Sequence, residues 1–333
     1  MKSLIQKLVQ TTGPSGHETK IREVIRTEIE DYADEMRVDA LGNLIAVKGN
    51  TSSDAKKVML AAHMDEIGII ATHVDESGFV RFTTIGGVRR HTCIGRWVRF
   101  TNGTSGVIGY EYLEDVNKLP TFNQMYIDVG STSRVDCPVR VGDAAAFEGA
   151  FSEHGERLVS KAMDDRIGVA VLIETLRHLK KSPNQVYFVF SVQEEVGLRG
   201  ATTAAYGIDP DIGIAVDVTR SADTPKSIKM DVSLGQGPAI KVRDSGMLSD
   251  PRVVDWMVNT ADKSKLPYQL EVLEGGTTDA RAIQLTRAGV PAGCISIPCR
   301  YVHAPSEMVD LKDVQNAVRL LLALLKQEVT LDQ

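Results

Sequence analysis

Three uninterrupted apolar runs, each delivering an acid or a histidine at its end, constrain this chain more than any other feature. VMLAA leads to His63 and Asp65, the five residues VYFVF to Glu194 and Glu195, and IGIAV to Asp217. Apolar runs without polar alternation read as strands buried on both faces, as in parallel sheets covered by helices. DDRIGVAVLIETLRHLKK lies between the first two runs and reads as a helix. A last helix from about Asp310, its N-cap, carries Val314, Ala317, Val318, Leu321, Leu322 and Leu325 on one stripe. Alternating strands and helices predict an α/β fold with a mixed, mostly parallel sheet.

Two other stretches depart from that texture. Near the start, Leu4, Ile5, Leu8 and Val9 share a helical face, TTGPSG breaks it, and Ile21, Val24, Ile25 and Ile29 resume it. From about Ile69 to His154 the pattern is β-like and punctuated by glycine, as in GFVRFTTIGG and RWVRFTNGTSGVIGYE. A helix-free stretch of roughly 85 residues is domain-sized. The expected organisation is therefore a main α/β domain from 1–68 and 155–333, interrupted at 69–154 by a small β-barrel.

Composition removes several function classes. Net charge is −6, aromatics are 5%, and the basic residues form no dense run, so no nucleic-acid partner is expected. The longest apolar run, Leu320 to Leu325, falls far short of the ~20 residues a membrane span requires. The opening residues lack the apolar core of a secretory signal. Cys93, Cys137, Cys294 and Cys299 form no CxxC pair and read as free thiols, which suits a cytoplasmic protein.

The remaining question is what the acids and histidines do. His63 and Asp65 are two apart, so on an extended segment both point the same way, as a metal ligand and its orienting acid would. Asp164 and Asp165 open an apolar helix whose N-terminus is driven inward, where carboxylates need a partner or a metal. Glu194 and Glu195 end one buried strand, Asp217 ends another, and His303 follows a short β-like run in IPCRYVHAPSE. Singly, each has an ordinary reading as a surface pair, a helix-dipole complement or a satisfied core histidine. Together, His63, Asp164, Glu195, Asp217 and His303 offer two imidazoles and three carboxylates. Against two divalent cations that set leaves one positive charge to activate a water. Glu194, beside a ligand, is placed to take a proton. Mixed nitrogen and oxygen donors suit zinc, cobalt or manganese better than magnesium or calcium. His17, His73, His91, His154 and His178 lack such settings.

These motifs carry a resemblance that runs nearly end to end. GPSGHE, AAHMDEIG, KAMDDRIG, SVQEEVGLRGA, AVDVT, EGGTTDA and RYVHAPSEM resemble the dinuclear-metal aminopeptidases of metallopeptidase family 42, glutamyl and tetrahedral (TET) types included. The resemblance implies a metal-dependent aminopeptidase that releases N-terminal residues from peptides with a free N-terminus. It implies His63 and Asp217 as ligands of one metal and Glu195 and His303 as ligands of the other. Asp164 would be the bridge, Glu194 the general base, and Asp65 the acid that orients His63. It further implies a phosphorylase/hydrolase-like fold, a barrel insertion that aids association and narrows access, and a homo-oligomer, commonly a dodecamer. The competing reading is a glycoside hydrolase, or endoglucanase, using Glu194 and Asp217 as paired acids. Arg220, Arg300 and Lys241 lie near motif segments, either to select an acidic side chain or as ordinary surface cations.

Overall fold

The computed structural model describes residues 1–115 and 117–331. Its core is an eleven-stranded mixed sheet. Strand Lys57–His63 pairs in parallel with Gln185–Ser191 on one side and Ile212–Arg220 on the other, and the latter pairs in parallel with Ala292–Arg300. Parallel pairing is concentrated there. Antiparallel strands extend one flank through Leu44–Gly49 to Glu35–Val38, and the other through Glu307–Asp310 and Arg157–Ser160 to Ser152–His154.

The apolar runs are buried on both faces for a visible reason. Val58, Leu60 and Ala62 belong to the large core on one side of the sheet, whereas Met59 and Ala61 belong to a separate cluster on the other. Helices Lys2–Gln10, Thr19–Ile29, Met163–His178 and Leu311–Leu325 all contribute to the larger core, and Arg199–Ile208 to the smaller. Asp310 caps the last helix by accepting from Lys312 N at 2.8 Å.

The helix at DDRIG begins later than its sequence suggests. Asp164 (φ −74°, ψ 107°) and Asp165 (φ −118°, ψ 36°) are non-helical. Asp165 Oδ1 accepts from Gly168 N at 3.0 Å, the bond an N-cap makes to its third residue. A Cβ on Gly168 would meet Asp165 Oδ2 at 2.4 Å, so glycine is required for that cap. Asp164 is thereby left outside the helix, on extended backbone.

Between the strand that ends at His63 and the one that begins at Arg157, the chain forms a closed six-stranded barrel. Its strands run from Gly68–Val74 to Ala144–Phe147, and these two pair to close it. Ile69, Val80, Phe82, Val98, Phe100, Ile108, Met125 and Ile127 fill it, a core separate from that of the sheet. All four cysteines are unpaired. No described helix is long and apolar enough to cross a membrane.

Candidate metal centre

The carboxyl ends of the parallel strands deliver the site, as open α/β sheets commonly do. Ala61 pairs with Ala215, so two residues further on His63 and Asp217 stand level on neighbouring strands. Ser191 pairs with His63, which places the Glu194–Glu195 turn beside it. His303 lies beyond the end of Ala292–Arg300 with φ 64°.

Asp164 occupies the middle. Its Oδ1 lies 3.0 Å from His63 Nε2 and its Oδ2 lies 3.2 Å from His303 Nε2. Glu195 Oε1 is 3.2 Å from the same His303 nitrogen, and Asp217 Oδ1 is 3.9 Å from His63 Nε2. Two groups result: His63, Asp164 and Asp217 in one, and Asp164, Glu195 and His303 in the other, with donor atoms inside each group within 4.8 Å of one another. Asp164 is common to both and turns a different oxygen to each. Glu194 belongs to neither; its Oε2 approaches His63 Nε2 to 3.9 Å.

These residues fit a pair of divalent cations. Asp164, Glu194, Glu195 and Asp217 are largely buried, and among the described residues none forms an ion pair with a lysine or arginine. Among the described residues the two imidazoles are the cations that contact these four acids, with Lys241 acting on Asp217 from further off. Burial pushes Asp217 up to about 8 and Glu194 well above the ordinary carboxylate range, with neighbouring acids adding to both shifts. Burial disfavours charge on His303, yet hydrogen bonds to Asp164 and Glu195 raise it to about 11. Asp164 also resists burial and is held below its usual range by both histidines. Crowded buried carboxylates of this kind call for metal compensation.

Hydrogen bonds orient the donors. Asp65 Oδ1 lies 3.3 Å from His63 Nδ1 and accepts from Glu194 N at 3.0 Å, while Oδ2 accepts from Ser15 Oγ at 2.6 Å and Glu195 N at 3.2 Å. The carbonyl of Gly87, on the barrel, accepts from His303 Nδ1 at 3.1 Å and leaves Nε2 facing the acids. A Cβ on Gly87 would stand 2.4 Å from that nitrogen. Gly87→Ala is therefore expected to turn the ring and cut metal affinity or kcat by roughly 10–100-fold. Circular dichroism and metal titration check this; unchanged affinity and kcat would deny the barrel a part in the centre.

Sequence reasoning passed over several groups here. Asp279, pushed up to about 6 by burial, accepts from Ser191 Oγ at 2.5 Å beneath the centre. Glu307 is buried and accepts from two backbone N–H groups of the site. A threonine-rich turn before Asp279 and an acid opening the Glu307–Asp310 strand were the only local signals. Lys241 is not a surface cation: it is 1% exposed and its Nζ lies 2.5 Å from Glu271 Oε1. Arg300 pairs with Asp223 at 2.7 Å, whereas Arg220 lines the cavity without an acid partner among the described residues.

A mixed α/β sheet, an inserted barrel, and acids and histidines gathered at the sheet's carboxyl edge define a metal-dependent peptide hydrolase. Residues 42–320 match the family of M42 glutamyl aminopeptidases, and the chain belongs to that family. It is accordingly a metal-dependent aminopeptidase. A relative from Acetivibrio thermocellus, provisionally named an aminopeptidase, is 50% identical over 96% of this chain and 97% of its own length. The lysyl aminopeptidase of Pyrococcus furiosus is 36% identical over 99% and 98%. Among solved structures, an aminopeptidase from Desulfurococcus kamchatkensis superposes with TM-score 0.94 at 41% identity, covering 98% of this chain and 94% of that one. A TET peptidase from Pyrococcus horikoshii, described as assembling into a tetrahedron or a large octahedral shell, gives 0.88 at 33%, over 98% and 99%. A Thermotoga maritima protein described as an endoglucanase gives 0.82 at 33%, over 97% and 96%.

Proposed function

We propose that His63 and Asp217 hold one divalent cation, Glu195 and His303 hold a second, and Asp164 bridges them. The observation that carries this is Asp164 presenting Oδ1 to His63 and Oδ2 to His303. Zinc, cobalt or manganese suits the mixed nitrogen and oxygen donors. Two such ions, if bound by these residues, would supply Lewis acidity for the scissile carbonyl and lower a water's pKa towards ~7. Glu194 is the general base. Its carboxylate, free of both donor groups, accepts the proton of the attacking water and returns it to the departing amine nitrogen. Asp65 keeps His63 turned with Nε2 toward the centre and ties down the backbone that carries Glu194 and Glu195. Glycoside hydrolysis by Glu194 and Asp217 would leave both imidazoles without a role.

The cavity beside the centre, about 330 Å³, also bears Arg220 and Arg281, neither of them paired with an acid among the described residues. With relatives named for both glutamyl and lysyl substrates, the N-terminal residue is selected by such rim residues rather than by the ligands. Two free guanidiniums favour an acidic one. One exposed ion pair is worth up to ~1 kcal/mol, so glutamyl substrates should exceed leucyl ones about fivefold in kcat/KM. A panel of aminoacyl chromogenic substrates, run with each metal and with chelator, measures this. Lysyl substrates turning over fastest would reverse the assignment, and activity untouched by verified metal removal would overturn the centre itself.

The chain is further proposed to form a homo-oligomer through its barrel, here taken as a domain of its own. Trp97, Tyr112 and Val135 are 55%, 88% and 95% exposed, the kind of surface that association covers. The Pyrococcus horikoshii peptidase, described as assembling into a tetrahedron or a large octahedral shell, supports such a homo-oligomer, for which the proposed form is the tetrahedral dodecamer.

A further inference from the structure

Each donor in the centre is held by something, and the holding groups differ in kind. Asp217 sits inside a regular strand, fixed by its ladder. His63, Glu194 and Glu195 are gathered by one buried carboxylate, Asp65. Asp164 and His303 belong to neither arrangement. They lie on irregular backbone 139 positions apart by number. Ala162, just before Asp164, has φ 53°, while Tyr301 and His303 have φ 62° and 64°. Left-handed backbone is unfavourable for residues with a side chain and persists only where surroundings enforce it.

Glu307 supplies that enforcement. It is 2% exposed, and its Oε2 accepts from Asp164 N at 3.0 Å while Oε1 accepts from His303 N at 2.7 Å. Glu307 belongs to neither donor group, and no lysine or arginine pairs with it among the described residues. The nearby Lys161 instead turns its Nζ to Glu66, at 2.6 Å. One carboxylate therefore ties the segment bearing the shared acid to the segment bearing a histidine, as Asp65 does on the opposite side.

We propose that Glu307 is a positioning residue. By fixing the backbone of Asp164 against that of His303, it sets how Asp164 Oδ2 and His303 Nε2 converge, and with them the placement of the second cation. This rests on the ligand assignment proposed above. Glutamine at this position keeps the size but offers one acceptor and one donor, so one backbone N–H must face an amide NH₂. Aspartate keeps both acceptors on a shorter arm.

The test uses full-length wild type, Glu307→Gln and Glu307→Asp, stripped of metal and titrated with zinc against a chromophoric chelator. Kinetics at saturating zinc and melting curves of the stripped proteins accompany it. Glu307→Gln is expected to weaken one zinc site by about 10–100-fold and to lower kcat with KM within about twofold. Glu307→Asp should recover part of the affinity. A merely structural role would lower the melting temperature of the stripped protein and leave zinc affinity of the folded chain unchanged. Wild-type zinc affinity in Glu307→Gln overturns the proposal. Should that variant fail to fold, Glu307→Asp decides: weakened zinc binding supports the proposal, and wild-type binding overturns it. Wild type that binds no zinc sinks the underlying ligand assignment instead.

Discussion

Glu194→Gln is expected to reduce kcat by roughly 10²–10⁴-fold, the usual contribution of a positioned general base, while both metals stay bound and KM changes little. Glutamine preserves shape and volume but cannot accept a proton from water. The charge of Glu194 acts on the nearby His63, 3.9 Å away, but Glu194 belongs to neither donor group. Its backbone N–H, not its carboxylate, is what Asp65 holds. Burial and the adjacent acids hold Glu194 well above the ordinary carboxylate range, with His63 opposing them, the direction that favours taking up a proton. Metal content by mass spectrometry and steady-state kinetics together decide the matter. Full turnover would remove Glu194 from the reaction, and loss of a metal along with turnover would make it a ligand.

Removing the cations should lower the melting temperature by on the order of 10 °C. Two arguments agree in sign. Ions that bind the folded chain and not the unfolded one stabilise by mass action, about 4 kcal/mol per site when free metal exceeds Kd a thousandfold, and each kcal/mol moves a chain of this size by roughly 1–2 °C. Stripping also leaves Asp164, Glu194, Glu195 and Asp217 buried together, with the two imidazoles as their contacting cations among the described residues. Calorimetry before stripping, after it, and after adding zinc or cobalt back is the measurement. A melting temperature indifferent to verified removal would mean that these acids do not share a metal.

The two predictions rest on features of unequal visibility in the sequence. VMLAA, VYFVF and IGIAV announce strands because each residue is apolar whichever face it takes, and Val58 and Met59 do enter different cores. The barrel is legible for a related reason, since no stretch between its strands has the periodicity of a helix. At the acids the pattern is less informative. KAMDDRIG reads as a helix start with two dipole-compensating carboxylates, but Asp165 is the cap and Asp164 stands before it on extended backbone. Spacing could not separate these neighbours, because the cap depends on Gly168 and on a close approach to the Val216 carbonyl on another strand.

What the sequence determined alone is the kind of element at each place and the residue types waiting at its end. Periodicity follows from geometry within one helix or strand, so a few neighbouring residues suffice to reveal it. Only the tertiary structure decided which ends meet. Glu307 reaches Asp164 across 143 positions, and Gly87 reaches His303 across 216. Contacts that distant depend on sheet order and on where the barrel seats its Gly87 loop, neither of which leaves a local periodic trace. The residue types gathered at the centre were therefore readable in the chain, while the groups that aim them became visible only once it was folded.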